Sequence, residues 1–450
     1  MPILCAWTRV LRSVVSLCLV LAALLACPTP ARADTPSSET NPQDPAEKDQ
    51  WGGHIKMHGS IGWLDSSVYF DPVRQESLLD GMTELRLEDR RYLSNWLYAE
   101  AHYQLILLGG DTRRLGKKLE KLRPDVYATT LVAPLNDDSR LINMTYTLAK
   151  NDEIKLYNRL DRLSLTLLGD GALLRLGRQA VTWGNGLIFS PLDLVNPYSP
   201  TDRERDPKVG EDMAYALFDV ESLGQFESYY LVRRNPDTGE VEWDQATVAG
   251  RLGLEIDGLG FDLIAAKHFS DAVAGLGLGL SVYEIELHAD ATWTMLDERI
   301  DSNDGYLSLV ANAGYDWKWW ERDFNAGLEF YYNGLGDSNY RRAWSKPAVV
   351  ERIRRGELQT LGQYYLGGTI GAEVIPQLKL ALTVINNLAD PSGMLQPQAI
   401  WELEEGLSVT VGANVAYGRD TSEYTAYVIP EQGLSEKTPG SAYCWLRYDF

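Results

Sequence analysis

Cysteine is nearly missing. The 450-residue chain has 4, and Cys5, Cys18 and Cys27 precede residue 34, which leaves Cys444 alone. A single thiol forms no internal disulfide, and no Cys/His spacing suits zinc. Histidine is scarce, at 5. Positive charge runs short as well: 42 Lys+Arg against 63 Asp+Glu give a net charge of −21, which argues against the basic footprint of a nucleic-acid binder. Beyond the N-terminus no apolar run reaches the roughly 18 residues of a spanning helix, so a helical membrane protein is excluded. Phenylalanine, at 9, is outnumbered by 24 Tyr and 13 Trp, the aromatic types that favour boundaries between apolar and wet surroundings. At 45% hydrophobic residues the chain can still bury a core.

Residues 1–33 have the parts of an export signal. Arg9 and Arg12 form a positive n-region, Val14 to Ala26 is an apolar stretch of h-region length, and Ala31-Arg32-Ala33 offers a small-x-small cleavage site. The alternatives are a membrane anchor, for which the stretch is too short, and a lipoprotein with Cys27 after Leu24-Leu25-Ala26. Residues 34–50, rich in Ser, Pro, Asp and Glu, are expected to be a disordered leader, and 51–450 a single domain.

From Trp51 onward the dominant pattern is alternation, which marks strands with one apolar face. In 284–296, Ile285, Leu287, Ala289, Ala291, Trp293 and Met295 oppose Glu284, Glu286, His288, Asp290, Thr292 and Thr294. Segments 95–107 and 407–418 do the same. Such runs exceed the five or six residues typical of soluble strands and match the roughly 9–11 of membrane-spanning ones. In lipid every backbone polar group must find an internal partner, and a closed barrel leaves no edge.

Eighteen such segments run from 52–64 to 440–450, among them 172–183, 225–234, 274–282 and 359–373. With both termini periplasmic, even-numbered gaps should be short turns and odd-numbered gaps long loops. Asp257-Gly258, Gly169-Asp170-Gly171 and Glu404 to Gly406 are short; 109–153, 184–211, 334–358 and 419–439 all fall on the long side. The phase flip at Val282-Tyr283 makes 274–282 the weakest strand, so sixteen strands is the alternative count. The C-terminal run places Phe450, Tyr448, Leu446 and Cys444 on one face, like the aromatic-ended signal that outer-membrane barrels present to the assembly machinery; Tyr448 and Phe450 are its candidates here. The fold expected is all-β, an antiparallel transmembrane barrel of about 18 strands; the alternative is a secreted all-β repeat or sandwich.

Periodicity breaks in Leu174-Arg175-Leu176-Gly177-Arg178-Gln179-Ala180-Val181-Thr182-Trp183-Gly184-Asn185-Gly186, continuing through Phe189, Pro191, Asp193 and Asn196-Pro197. A strand here enters a structured turn, and porins often fold such a loop inward. Just upstream Leu163, Leu165 and Leu167 run out of step with Leu156 and Leu160, which predicts a bulge and a charged lumen cluster of Arg159, Asp161 and Arg175. The Gly-Arg-Gln run followed by Trp-Gly-x-Gly, Phe-x-Pro-x-Asp and Asn-Pro, with Leu160-Asp161-Arg162-Leu163 before it, resembles a proteobacterial outer-membrane family of largely unknown function, similar to alginate-export-type barrels. The likeness covers about 154–215 and implies an eighteen-strand pore or exporter.

Pore and constriction candidates are therefore Arg159, Asp161, Arg175, Gln179, Trp183, Asp193, Asn196, Arg203 and Arg205, with 184–211 either narrowing the pore or capping it. Lumen-facing Glu100, Glu284, Glu286, Asp290 and Glu329 suggest an acidic lining. Against them stand two basic loop stretches, 111–123 and 341–355, the first with Leu115, Leu119 and Leu122 at helical spacing; both suit anionic solute or lipopolysaccharide phosphate. His288 and Asp290 share a face only as lumen alternation dictates, and no nucleophile pairs with a histidine in sequence. No metal, cofactor or nucleic acid is expected. The function expected is passage or export of a polar or charged solute across a Gram-negative outer membrane, with lipid, lipopolysaccharide, the barrel-assembly machinery and a periplasmic export component as partners. The rivals are an accessory barrel with a plugged lumen and an outer-membrane hydrolase.

Overall fold

A computed structural model describes residues 49–63, 77–122, 136–201, 207–220, 224–297, 304–429, 434–437 and 440–450. The expected export signal and nearly all of the expected leader lie outside these residues. The strands are β1 (Gln50–Trp63), β2 (Ser77–Ser94), β3 (Leu97–Gly110), β4 (Thr145–Lys150), β5 (Ile154–Gly169), β6 (Ala172–Gln179), β7 (Glu211–Val220), β8 (Gly224–Leu231) and β9 (Thr247–Ile256). There follow β10 (Leu259–His268), β11 (Asp271–Val282), β12 (Ile285–Met295), β13 (Gly305–Trp319), β14 (Arg322–Asn333), β15 (Tyr364–Ile375) and β16 (Leu378–Asn387). Last come β17 (Ser392–Glu404), β18 (Leu407–Tyr417), a loop hairpin of β19 (Ala426–Ile429) and β20 (Leu434–Lys437), and β21 (Gly440–Asp449).

The main sheet has 19 strands. One of them, β4, pairs among the described residues with β5 alone; the other eighteen close a ring, each antiparallel to its neighbour in the ring, with β21 returning to β1. At the seam Gly53 and Phe450 exchange both backbone hydrogen bonds at 3.0 Å. The Phe450 ring stands 6.0 Å from Trp51 and 6.3 Å from Tyr448. No helix among the described residues is long and apolar enough to span a membrane. The outward positions form an apolar band, with Leu87, Leu107, Leu163, Leu165, Leu263, Leu328, Ile370, Leu380 and Val411 all exposed. This is the surface a barrel turns to lipid.

The turns on one side are tight. Asp257-Gly258 takes positive φ at both residues (53° and 80°), as does Trp320-Glu321 (49° and 58°), the handedness that matches strand twist. Trp96, Tyr283, Trp320 and Trp401 crowd this rim, exposed, as interfacial aromatics do. The opposite side carries the long connections, including α1 (Asp111–Leu122), α2 (Tyr340–Ala343) and α3 (Pro347–Arg354). The 111–123 stretch thus contains the expected helix, with Leu115 buried.

The strand 274–282 is real and longer, as β11, so the count is eighteen rather than sixteen; the phase flip at Val282-Tyr283 is the hairpin turn itself. Glu284 consequently lies in that turn, exposed, and not on the lumen wall. Strand 172–183 stops at Gln179, 225–234 at Leu231, and 359–373 starts only at Tyr364. The expected bulge is present: His102 pairs with Arg162 but Tyr103 with Leu160, leaving Asp161 as the extra residue.

Deleting Phe450 removes the two hydrogen bonds it makes with Gly53 at the end of the β1–β21 ladder, worth about 0.5–1.5 kcal/mol each, together with the terminal ring. We expect a several-fold smaller fraction of the unheated, fast-migrating folded form on gels after refolding, whereas Phe450→Tyr, which keeps the ring and the backbone pair, should refold normally.

Candidate functional site

The wall is interrupted where the motif is. β6 leaves it at Gln179 and β7 rejoins at Glu211, while β5 continues upward past the end of β6. The vacated edge of β5 is taken by β4, whose Thr145 pairs with Arg159 and Tyr146 with Asn158. Buried ion pairs lock the gap. Arg178 reaches Asp212 at 2.9 Å and Asp137 at 2.8 Å, and Arg140 reaches Glu211 at 3.0 Å. Arg86 and Arg162 converge on the bulged Asp161 at 3.1 and 2.8 Å. Removing one member of such a set would strand a buried charge.

Residues 180–201 cross the barrel interior. Trp183 donates to Glu227 on β8 at 3.0 Å, and the Asn185 N–H to Asp290 on β12 at 2.9 Å. Glu329 on β14 then accepts three consecutive backbone N–H groups, from Leu187, Ile188 and Phe189, at 2.6, 3.0 and 2.8 Å. Asn312 on β13 donates to the Asn185 carbonyl at 2.9 Å. Farther along, Gln396 on β17 donates to the Thr201 carbonyl at 2.7 Å. A segment without a strand ladder thus has its backbone satisfied by wall side chains, as a buried backbone requires.

Its apolar side chains sit in notches cut by glycine. A Cβ on Gly275 would lie 2.7 Å from Leu192, and one on Gly327 2.7 Å from Leu187; one on Gly367 would collide with Ile188. Leu192, Val195 and Trp183 join Leu173, Met213, Leu217, Tyr229 and Ile264 in one cluster. Ile188 and Phe189 join Val310, Tyr331, Tyr365 and Ile385 in a second. The return limb is tied by Lys208, which pairs with Asp193 inside the barrel and donates to the Val181 and Val195 carbonyls at 3.3 and 3.2 Å. Burial pushes the Asp193 carboxyl up, to about 6, against the pull of Lys208; burial also lowers the Lys208 ammonium.

The structure places the sequence-derived candidates as follows. Arg159 donates to Gln104 at 2.9 Å, Asp161 holds Arg86 and Arg162, and Arg175 reaches Thr166 at 3.1 Å and Tyr98 at 3.0 Å. Asp161 also interacts electrostatically with Arg159 and accepts from the Gly210 N–H at 3.2 Å, whereas the hydrogen bonds of Arg175 go to Thr166 and Tyr98. Gln179 donates to the Met213 carbonyl at 3.3 Å. Asn196, at φ 48°, donates to Glu211 at 2.9 Å. Arg203 and Arg205 lie outside the described residues. Glu100 faces inward and pairs with Arg90 at 3.0 Å, and Glu286 is exposed near the turn rim. Asp290 and Glu329 face inward but are buried, their charges spent on backbone N–H groups rather than on an open acidic surface.

Sequence reading missed most of the basic residues of the interior. Lys56, Arg86, Arg90, Arg162 and Arg178 all lie on or beside the lumen face of β1–β6, and alternation through Glu84, Arg86, Glu88 and Arg90 would have revealed some of them. Carboxylates Glu227, Asp262, Asp290 and Glu329 populate β8–β14, with Arg251 bridging Glu227 and Asp262. In the 341–355 stretch Arg352 is buried against Asp271 and Tyr306, so it is no surface anion trap. Among the described residues no three His, Cys, Asp or Glu are placed to hold a metal. His268 Nδ1 and the Thr247 hydroxyl lie in hydrogen-bond contact at 3.0 Å, but Thr247 is wholly buried and also bonds Arg233, so it offers no nucleophile to a solute.

No family profile matches the chain, and no curated protein matches it. Solved structures do. OccAB4 of Acinetobacter baumannii superposes with a TM-score of 0.52 at 10% identity, covering 91% of this chain and 100% of that one. OccAB3 of the same organism gives 0.48 at 9% identity over 89% and 99%. The outer membrane protein OpdK of Pseudomonas aeruginosa gives 0.47 at 8% identity over 90% and 98%. The first of these matches supports the barrel fold; the alginate-export likeness of 154–215 gains nothing from it.

Glu329→Ala removes the acceptor of three N–H groups, each charge-assisted bond being worth about 1.5–3 kcal/mol. Backbone amides of Leu187, Ile188 and Phe189 should exchange with deuterium at least about tenfold faster, since tenfold corresponds to only about 1.4 kcal/mol, while the wall strands keep their protection.

Proposed function

We propose that this chain is an outer-membrane channel for a polar or charged solute, exported by the segment at its N-terminus, and that residues 180–201 narrow it. The observation that carries this reading is the pinned crossing. An eighteen-strand ring is wide enough to enclose a channel, and a segment held across it by Glu329, Asp290 and Gln396 is a restriction with fixed position. The interior carries Arg86, Arg90 and Arg162 paired with Glu88, Glu100 and Asp161 on β2–β5 and further carboxylates on β8–β14, a lining that suits a polar or charged solute. The likeness of 154–215 to alginate-export-type barrels would add an anionic polymer as solute.

Replacing 184–201 by a short Gly/Ser linker should raise single-channel conductance at least about twofold in planar bilayers; unchanged current through a folded barrel would deny the segment its narrowing role. The pH dependence has a definite sign. As pH falls through about 6, Asp193 takes up a proton and the constriction gains one positive charge. The reversal potential in a salt gradient should therefore move towards anion preference between pH 8 and pH 5, and Asp193→Asn should abolish the shift.

A further inference from the structure

The connection that follows β18 reaches back into the barrel. It starts at Gly418, where φ is 146° and an added Cβ would lie 2.6 Å from both the Ser392 Cβ and the Ser422 Oγ, so the bend takes glycine. Two residues of the loop then dock. The Tyr424 ring is buried in the cluster of Ile188, Phe189, Tyr331 and Tyr365. The Glu423 carboxylate accepts from the Leu361 and Gly362 N–H groups at 2.6 and 3.2 Å, from Asn387 at 2.6 Å and from the Tyr365 hydroxyl at 2.7 Å. The Glu423 N–H donates to Asp390 at 2.7 Å, and the Thr421 carbonyl accepts from Tyr340 at 2.7 Å and Arg341 at 3.0 Å.

Tyr365 belongs to both sides of this contact. Its ring, wholly buried, stands 5.5 Å from that of Phe189 on the crossing segment, and the Phe189 N–H is one of the three that Glu329 holds. Its hydroxyl is held by Glu423. One side chain therefore joins the outer loop to the constriction. The ties of the loop use a side chain at one end, unlike the ladders of the wall, and a seat of this kind lets go as a unit. With Glu423 withdrawn, the Leu361 and Gly362 amides and the Tyr365 hydroxyl lose one acceptor together, and stranded buried polar groups are costly. Packed, hydrogen-bonded seats of this sort have two arrangements rather than a continuum.

We propose that residues 418–425 form an outer lid on the channel, latched by Glu423, and that Tyr365 couples the lid to the constriction, so that releasing the latch widens the passage and loosens Phe189 in one event. The proposal rests on the channel reading for what the lid governs, and adds to it a pore with two states. Tyr365 is a positioning residue: wholly buried, it acts on the passage through Phe189.

The test uses the full chain refolded into planar bilayers for current and into detergent for hydrogen exchange. Native barrels should switch between a lower and a higher current level. Glu423→Ala should raise the ratio of time at the higher level to time at the lower at least about tenfold. Tyr365→Phe, which keeps the ring against Phe189 and removes the hydroxyl, should shift the ratio the same way and serves if the first variant misfolds. Ala389 and Thr421 line one surface cleft. As cysteines in a Cys444→Ser background, joined by a short thiol linker with a cleavable disulfide, they should hold the current at the lower level until a reductant is added. An unchanged ratio in both variants on folded barrels, or switching that persists after cross-linking, would overturn the lid. Exchange reads the latch without current. In Glu423→Ala the amides of Leu361 and Gly362 should exchange at least about tenfold faster, and that of Phe189 at least about threefold. Freed Leu361 and Gly362 beside an unchanged Phe189 would overturn the coupling through Tyr365. Folded barrels that free all three amides yet carry no current in any variant would overturn the passage reading and leave the latch standing.

Discussion

An amide left unpaired in hydrocarbon costs several kcal/mol, and the ring is the answer to that single constraint. Eighteen strands, each bonded on both sides, close the ring through the β1–β21 ladder, to whose end Phe450 adds its two bonds with Gly53. Alternation follows, because a wall with lipid on one side and a wet, charged interior on the other must change character at every residue. The tight turns and long loops sort to opposite ends for the same reason: a chain that rises and falls through the bilayer has two kinds of return.

The same constraint explains the cost of sending a segment inward. When β6 quits the wall at Gln179, the upper edge of β5 would be bare. β4 covers it, and Arg178, Asp212, Asp137, Arg140 and Glu211 fill the corner with paired charge. Inside, the crossing backbone has no ladder, so Glu329, Asp290, Asn312 and Gln396 serve as its partners. Polar wall residues that look like channel lining in one dimension are thereby structural, and the buried apolar clusters around Trp183 and Phe189 make the interior partly a protein core.

The ring was almost entirely legible, since period-two patterning is a local property and the turns are short. Strand 172–183 was read four residues too long because Ala180, Val181 and Trp183 stay apolar; they do so to pack inside, which no periodicity distinguishes from a lipid face. Glu284 was misassigned by the same logic, an exposed turn residue in phase with its strand. The bulge at Asp161 was visible as a phase slip, but which charges it unites was not, since Arg86 and Gly210 come from distant segments. Lys208 and Glu423, the latter accepting from Leu361, Tyr365 and Asn387, stand alone in sequence and acquire meaning only from the fold.

The glycine notches of the wall carry a further consequence. Because Leu187 and Ile188 occupy the volume that a methyl on Gly327 or Gly367 would claim, the crossing segment rests on atoms that are not there. Its distance from the wall is therefore adjustable in increments of one carbon, from the outside strand and without touching any charged residue. A lineage could retune its sieve by an alanine as readily as by an arginine, and a comparison confined to charged positions would overlook the change.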